Sequence, residues 1–455
     1  MNKFISTTLP YINSIPHIGH CFEFIISDFI TRYERSKGNS VFFNTGVDEH
    51  GIKVQLTAEK NNITPQEWCD AYYIKWIDFC RKIQLSNDNF FRTSSPEHKD
   101  FSLKCFNQLL STGFLVKKKY KGYYCNGCES YKTEREIIDN KCSIHLSELI
   151  ETEEDNYFFD LTKNPIDNTL IDVSLRKELE KNISELKEIS ITRKNVDWAI
   201  KIDNDTSLYV WTEALLNYYE SVLNNKKDYK SYWENSLIIC GKDNLKFQSY
   251  ILPALLKALG IPQNKKVLVH GTILDNAGIK MSKTLGNVID PIDIINKYGI
   301  SPLRFYFSTF NFFKDSKFNP IELINNWNSL IVNQFGNTIT RLFHIGKIKN
   351  VTYTTEYSYY IKHKDSFNNI KTLLDNYDYT NALNKCFELV SFINKRINDE
   401  KPYDKESTNA EEIITEGYVL LKEISNVICI IIPEYDNILR TSFINKEKVI
   451  LFNKL

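Results

Sequence analysis

The order of elements in the first 83 residues leaves this chain few ways to fold. Residues 4–9 predict a short strand, followed by a turn that contains Pro10, Asn13, Ser14, Pro16 and Gly19. Residues 21–35 carry apolar side chains at helical spacing. Residues 40–44, with Val41, Phe42 and Phe43 in succession, suit a buried parallel strand. Residues 64–83 predict a second helix, with Thr64 as N-cap, Pro65 in the first turn and Glu67 placed to close a capping box. Strand, helix, strand, helix is the pattern of an α/β fold with a doubly wound parallel sheet. Such sheets bind ligands beyond the carboxyl ends of their strands. The turns at 16–20 and 46–51 both fall at that edge.

At 455 residues the chain exceeds one ordinary core, so two to four domains are expected. The α/β pattern breaks near Tyr120, resumes with strands at 237–240 and 266–270 and a helix at 245–259, and gives way after about 320 to helical spacing alone. This predicts a first α/β half at 1–119, an insertion at 120–190, a second α/β half at 191–319 and an all-α bundle at 320–455. Lys plus Arg equals Asp plus Glu, at 57 each, which excludes a partner held by bulk positive charge. Lys117, Lys118, Lys119 and Lys121, and Lys226, Lys227 and Lys230, are the local basic runs, read as solvated surface. No apolar run approaches membrane-crossing length, and the longest, at 427–432, ends at Pro433. No cleavable leader is apparent, so a cytoplasmic protein without membrane association is expected.

Three stretches carry chemistry. Pro16-His17-Ile18-Gly19-His20 joins a strand to a helix. Gly19 lets a flat base approach the backbone, the helix start offers free N–H groups, and the two imidazoles can donate to phosphate oxygens. Lys280-Met281-Ser282-Lys283-Thr284 lies beside Asn276 and Gly278 in what reads as a mobile loop. Two lysines flanking a hydroxyl suit a pyrophosphate leaving group. Cys125-x-x-Cys128 and Cys142-x-x-His145 are two knuckles with a short loop between them, the spacing of a closed tetrahedral zinc site. With all four positions filled by ligand types, the zinc is structural. The remaining seven of the ten cysteines are scattered among apolar neighbours and read as buried thiols.

Together the first two stretches resemble the paired signatures of class I aminoacyl-tRNA synthetases, and over nearly the whole length the chain resembles methionyl-tRNA synthetases. Thr45-Gly46-Val47-Asp48-Glu49-His50-Gly51, Tyr209-Val210-Trp211, Gly241-Lys242-Asp243, Asp290-Pro291, Tyr298-Gly299, Arg304 and residues 333–341 carry that resemblance. It implies an enzyme that activates methionine with ATP and loads it onto tRNA(Met), with Mg²⁺ accompanying ATP. It further implies that His17, Gly19, His20, Lys280, Ser282 and Lys283 serve ATP, the two histidines and two lysines catalytically. Asp48 would take the amino group, and Leu9, Tyr11, Trp211 and Tyr218 would line the side-chain pocket. Asn337, Arg341 and Tyr403 would read the anticodon. A zinc knuckle in the insertion agrees with the Cys125, Cys128, Cys142 and His145 set.

The chain departs from the family at a few places. Asn244 and Gln248 stand where the family has Ile and His, Glu213 where it has Asp, and Tyr403 where it usually has Trp. Asn244 and Gln248, four apart on an expected helix, are read as hydrogen-bonded to each other, with methionine still the substrate. The alternatives are a paralogue with another amino acid or acceptor and a non-catalytic tRNA-binding protein. No extra dimerisation segment is apparent, so a monomer is expected.

Overall fold

The computed structural model describes all residues except 126–129, 133, 135–136, 144–146, 164, 167–170, 184–185, 283–284, 353–355 and 447–451. In chain order the strands begin with β1 Asn2–Ser6, β2 Ser40–Val47 and β3 Asn89–Arg92. Next come β4 Leu115–Cys125, β5 Ser130–Lys132, β6 Ile137–Ile138, β7 Lys141–Cys142, β8 Ile150–Asp160 and β9 Asp172–Val173. Then follow β10 Glu188–Ser190, β11 Thr192–Lys194, β12 Thr206–Leu208, β13 Ser236–Gly241, β14 Lys266–His270, β15 Ile273–Leu274 and β16 Ser316–Lys317. The chain divides into two compact units, the first comprising residues 1–16, 34–81 and 85–270, the second 17–33, 82–84 and 271–455.

The first unit is built on a six-stranded sheet in the order β3-β2-β1-β13-β14-β9, parallel at every pairing. Every residue of β2 after Ser40 is buried, as expected of a strand covered on both faces. β1 stops at Ser6, three residues short of the sequence expectation, and Pro10 lies just beyond. β2 runs three residues past it, to Val47. Gly46 explains the extension. It pairs with Phe91 of β3, and a Cβ placed on it would lie 2.2 Å from the Phe91 carbonyl oxygen. Only glycine allows the two backbones to stay that close.

The first helix of the chain is α1 Ile18–Ser36. It is followed by α2 Ile52–Lys60, α3 Pro65–Lys82, α4 Pro96–Ser111, α5 Arg176–Ile183 and α6 Val210–Asn225. The capping box at the start of α3 forms as expected: Thr64 N donates to Glu67 Oε2 at 2.8 Å and Glu67 N to Thr64 Oγ1 at 3.2 Å. The expected helix at 245–259 forms, ending at Ala258, but its middle is not α. A 3₁₀ turn at Lys242–Asn244 and a π-turn at Phe247–Ile251 precede a short α-helix, Leu252–Ala258. Pro253 has no N–H for the carbonyl four residues back and its ring crowds that carbonyl, so the preceding turn widens.

Across most of the stretch read as an insertion runs a separate antiparallel sheet in the order β10-β8-β4-β5, beginning at Leu115, whereas β9 joins the parallel sheet beside β14. Its register sets the lysines of β4 against the acids of β8, with Lys119 opposite Asp155 and Lys121 opposite Glu153. Lys121 pairs with Glu151 at 2.9 Å, and Lys118 with Glu188. The first basic run is thus a neutralised, solvated face.

The second unit is helical apart from β15 and β16 among the described residues, as expected for the region after 320; Tyr379–Glu400 and Ala410–Ile431 are its longest helices beyond that point, and Asn337–Ile348 is another. Among the described residues no helix is long and apolar enough to cross a membrane. At the unit's centre Arg304, fully buried, donates to Asp28 Oδ2 at 2.6 Å, to the Ile431 carbonyl at 2.6 Å and to the Ile83 carbonyl at 2.9 Å. Removing Asp28 would strand this guanidinium without its counter-charge. Asp28→Ala should therefore lose about 3–5 kcal/mol of stability in urea unfolding, whereas Arg440→Ala, at an exposed pair with Asp436, should change it by less than about 1 kcal/mol.

Candidate active site

Parallel strands deliver their carboxyl-end loops to one edge, and in the first unit that edge gathers the residues expected to hold an amino acid. Asp48 directly follows β2. Its N–H bonds the Pro10 carbonyl at 2.9 Å, and its carbonyl accepts from Ile12 N at 3.0 Å. The loop after β1 is thus locked to the loop after β2, and Tyr11 lies beside Asp48. Tyr11 OH accepts a hydrogen bond from Trp211 Nε1 at the start of α6. The Trp211 ring meets Phe247 edge-on with centroids 4.1 Å apart. Tyr218, two turns along α6 from Trp211, accepts from Gln248 Nε2 at 3.1 Å. Tyr11, Asp48, Trp211, Tyr218 and Gln248 thus form one connected set, and Leu9 sits half-buried in the same loop as Tyr11.

The expected Asn244–Gln248 pair is not made. Gln248 is buried, its nitrogen is committed to Tyr218, and its Oε1 has no hydrogen-bond partner among the described residues. The physical reason is the change of helix type: Asn244 ends a 3₁₀ turn and Gln248 lies inside a π-turn, so a spacing of four does not place them as on an α-helix.

Sequence reasoning missed what holds this edge together. Glu49 is fully buried and takes Arg92 Nε at 2.8 Å, Ser94 N at 3.3 Å and the Ser94 hydroxyl. Glu213, noted only as a departure, shares its carboxylate between two imidazoles, His50 Nδ1 at 2.7 Å and His98 Nε2 at 2.6 Å. The other nitrogen of His98 bonds Glu220. All four side chains are buried. A neutral imidazole has one N–H, so His98 satisfies two ionised carboxylates only as the imidazolium. Burial alone would push its pKa down, but the hydrogen bonds to Glu213 and Glu220 outweigh it and raise it to about 9. Burial raises the Glu213 pKa and the two histidines more than reverse that, leaving it lowered. No local signal marks His98, which sits at N3 of a helix capped by Ser95; only the proximity of α4 and α6 reveals it.

In the second unit, α1 begins at Ile18. His17 Nδ1 accepts from Gly19 N at 3.1 Å and His20 N at 3.4 Å, so the imidazole caps the helix. An accepting Nδ1 carries no proton, which leaves Nε2–H as the outward donor. The His20 ring stacks on His17 with centroids 3.7 Å apart. A Cβ on Gly19 would come 2.9 Å from His17 Cε1, so glycine here lets the capping imidazole fold over the turn. Lys280 is exposed and bridges to Leu274. Ser282 Oγ accepts from Leu285 N at 3.2 Å; Lys283 and Thr284 lie outside the described residues. Rather than hanging free, the flanks of this loop are tied by Asp275, which accepts from Ile279 N and from Asn287 Nδ2, both at 2.8 Å. These bonds, led by the one from Ile279 N, hold its carboxyl below the usual range. Ile18 N donates to the Ile289 carbonyl at 3.1 Å, fastening the start of α1 to the chain that leaves the loop.

Of the four zinc candidates, Cys125 and Cys142 are described and buried, while Cys128 and His145 lie outside the described residues. The two cysteines converge on one residue: Cys125 Sγ lies 3.8 Å from Ser147 Oγ, and Cys142 N donates to the Ser147 carbonyl at 2.9 Å. In the helical region Asn337 is exposed at the start of its helix, and one turn on Arg341 bonds Asn398 Oδ1 at 2.9 Å and Asn394 Oδ1 at 3.4 Å. Tyr403 is 45% exposed just beyond the helix that carries both asparagines.

The model of the family described as tRNA synthetases class I (M) matches residues 3–152 and 133–343, which sets the chain among the class I synthetases. A methionine--tRNA ligase of Thermotoga maritima is 33% identical over 466 residues, covering 95% of this chain and 73% of the relative. One from Nostoc sp. is 31% identical over 469 residues, covering 95% and 88%. On these matches the chain belongs to the methionine--tRNA ligase family. Its fold is also that of the Mycobacterium tuberculosis methionyl-tRNA synthetase solved in complex with methionyl-adenylate, with a TM-score of 0.86, 24% identity, and 97% and 93% of the two chains covered.

The His98 network makes stability depend on pH. The folded value, about 9, lies above the ordinary 6.5, so the contribution is complete below pH 6.5 and is lost as pH rises through about 9. The difference corresponds to about 3 kcal/mol at most. Thermal unfolding followed from pH 6.5 to 9.5 should show this decline, and the His98→Asn protein should lack it.

Proposed function

We propose that the chain is a working methionine--tRNA ligase. The observation that carries this reading is the connected set at the carboxyl edge of the sheet, a carboxylate (Asp48) beside an aromatic wall (Tyr11, Trp211, Tyr218). Asp48 would hold the α-ammonium group, and the wall suits a polarisable thioether. His17 Nε2–H, His20, Lys280 and Lys283 would meet the phosphates of ATP, Gly19 the adenine, and Ser282 would order its own loop. The amino-acid carboxylate attacks the α-phosphorus, the bond to the β-phosphate oxygen breaks, and pyrophosphate leaves with the electron pair. This step needs positioning and charge neutralisation rather than a protein nucleophile. Magnesium bound with ATP would supply part of that neutralisation. A ribose hydroxyl at the tRNA 3′ end then takes the aminoacyl group, releasing AMP.

In this reading residues 1–119 and 191–319 form the catalytic part, 120–190 the insertion and 320–455 the anticodon reader, with Asn337, Arg341 and Tyr403 facing tRNA(Met). The protein acts in the cytoplasm as a monomer. Cys125, Cys128, Cys142 and His145 would hold a structural zinc; Cys125 and Cys142 are buried, and Ser147 contacts the sulfur of the first and the backbone N–H of the second, which suits a closed thiolate site.

One observation favours a second reading, in which the substrate is another amino acid. The buried Gln248 Oε1 is unsatisfied among the described residues and would accept from a side chain that carries a donor. ATP–pyrophosphate exchange decides between the readings. Methionine should support exchange at least about tenfold better than any other amino acid, the span of 1.4 kcal/mol; no exchange with methionine, or a better substrate, overturns the first reading. Metal analysis should give one zinc per chain, lost in Cys125→Ser while exchange activity persists, because the site braces only the insertion. A zinc-free wild-type protein removes the metal assignment.

A further inference from the structure

We infer that Glu213 is a positioning residue for the amino-acid site, acting as a bridge whose reach, not its charge, sets the distance between the Asp48 loop and α6. The inference rests on the pocket assignment made under Proposed function.

His50 lies two residues after Asp48, and Glu213 lies two residues after Trp211 on α6. The Glu213–His50 bond at 2.7 Å therefore ties the loop that carries the proposed ammonium partner to the helix that carries the proposed side-chain wall. The Tyr11–Trp211 bond ties the neighbouring loop after β1, itself fastened to Asp48, to the same helix. The second oxygen of Glu213 is taken by His98 at 2.6 Å, and His98 is itself held by Glu220 one helical-face repeat further along α6. His98 thereby fixes the rotamer of Glu213 from behind. Trp198 closes the other side: its ring lies 5.5 Å from that of His50, and its Nε1–H donates to the Glu49 carbonyl.

The proton inventory separates reach from charge. Glutamine at 213 could accept from His50 Nδ1–H through Oε1 and donate through Nε2 to His98 Nε2. His98 would then be neutral, with Nδ1–H still given to Glu220. Every bond survives, while the negative charge of Glu213 and the positive charge of His98 are both gone. Aspartate, the residue of the family motif, keeps the charge but is one methylene shorter. It cannot reach both imidazoles without moving the loop or the helix, so the departure from the family at 213 belongs with the separation found here.

Steady-state exchange tests this on the full-length protein, with KM for methionine and for ATP determined separately. Glu213→Asp should raise the methionine KM about tenfold or more, the scale of one lost hydrogen bond to a charged group, with the ATP KM within about twofold. Glu213→Gln should recover most of that loss. His50→Ala, which cuts the bridge on the loop side, should reproduce the aspartate effect and serves if the aspartate protein does not fold. Glu220→Gln, which touches His98 but not the loop, should lower the melting temperature with little change in methionine KM. A role in stability alone predicts lower melting temperatures with unchanged KM in Glu213→Asp and His50→Ala, and that result overturns the inference. So does an equal rise in ATP KM, or a Glu213→Gln protein worse than Glu213→Asp. Wild-type protein that fails to exchange with methionine instead refutes the pocket assignment, so the two failures are distinct.

Discussion

A parallel sheet places a single constraint on which most of this structure depends. Each strand has to be reached by a crossover, both faces have to be covered, and all the carboxyl-end loops emerge on one side. β1, β2, β3 and β13 therefore present residues 7–12, 48–51, 93–95 and 242–244 at the same edge. Distant parts of the chain become neighbours there without any contact of their own to bring them together. Thr93, beyond β3, accepts from Glu49 N at 2.9 Å, and Pro10 and Ile12, beyond β1, bracket Asp48. The strands dictate the place of each loop; the loops only have to choose side chains.

Those side chains include more buried charge than an apolar core tolerates unaided. Several buried carboxylates, here and in the second unit, have a partner of opposite charge. Glu49 has Arg92, with Ser94 adding two hydrogen bonds; Glu213 and Glu220 have His98 between them; Asp28 has Arg304 and Arg32. Networks of this kind contribute little net stability compared with apolar packing, but once built they admit one arrangement only, since any displacement strands a charge. For a site that has to hold a small amino acid within a fraction of an ångström, that is the useful property.

The sequence was informative wherever the controlling interaction was local. The Thr64–Glu67 box and the apolar run of β2 could both be read from a few neighbouring residues. It was uninformative where the partner lay far along the chain. β2 ends where it does because of a backbone 45 residues away, opposite Gly46. The helix after β13 is 3₁₀ at its start and π in its middle, and the amide pairing inferred from a spacing of four is not made. Gln248 answers instead to Tyr218, 30 residues earlier, and Glu213 to His50 and His98, 163 and 115 residues away. Asn394 and Asn398 beside Arg341 were invisible for the same reason. The basic run at 117–121 was the instructive intermediate: its neutralising partner, the acidic run at 151–155, was visible, but only the antiparallel register joins them.

The composition of the second unit has a consequence for how the chain is made. Residues 18–33 of α1 belong to the same compact unit as residues 271–455. Phe22 meets Phe307 and Phe312, Phe29 meets Tyr379, and Asp28 meets Arg304. A ribosome adding about 5–20 residues per second delivers Arg304 and Tyr379 tens of seconds after the first helix has emerged. During that interval the aromatic face of α1 stands open to water, and the guanidinium that Asp28 will meet has yet to be synthesised. One of the earliest segments made is thus among the last to be buried, and the nascent chain must be kept from aggregating through that one helix until its C-terminal third arrives.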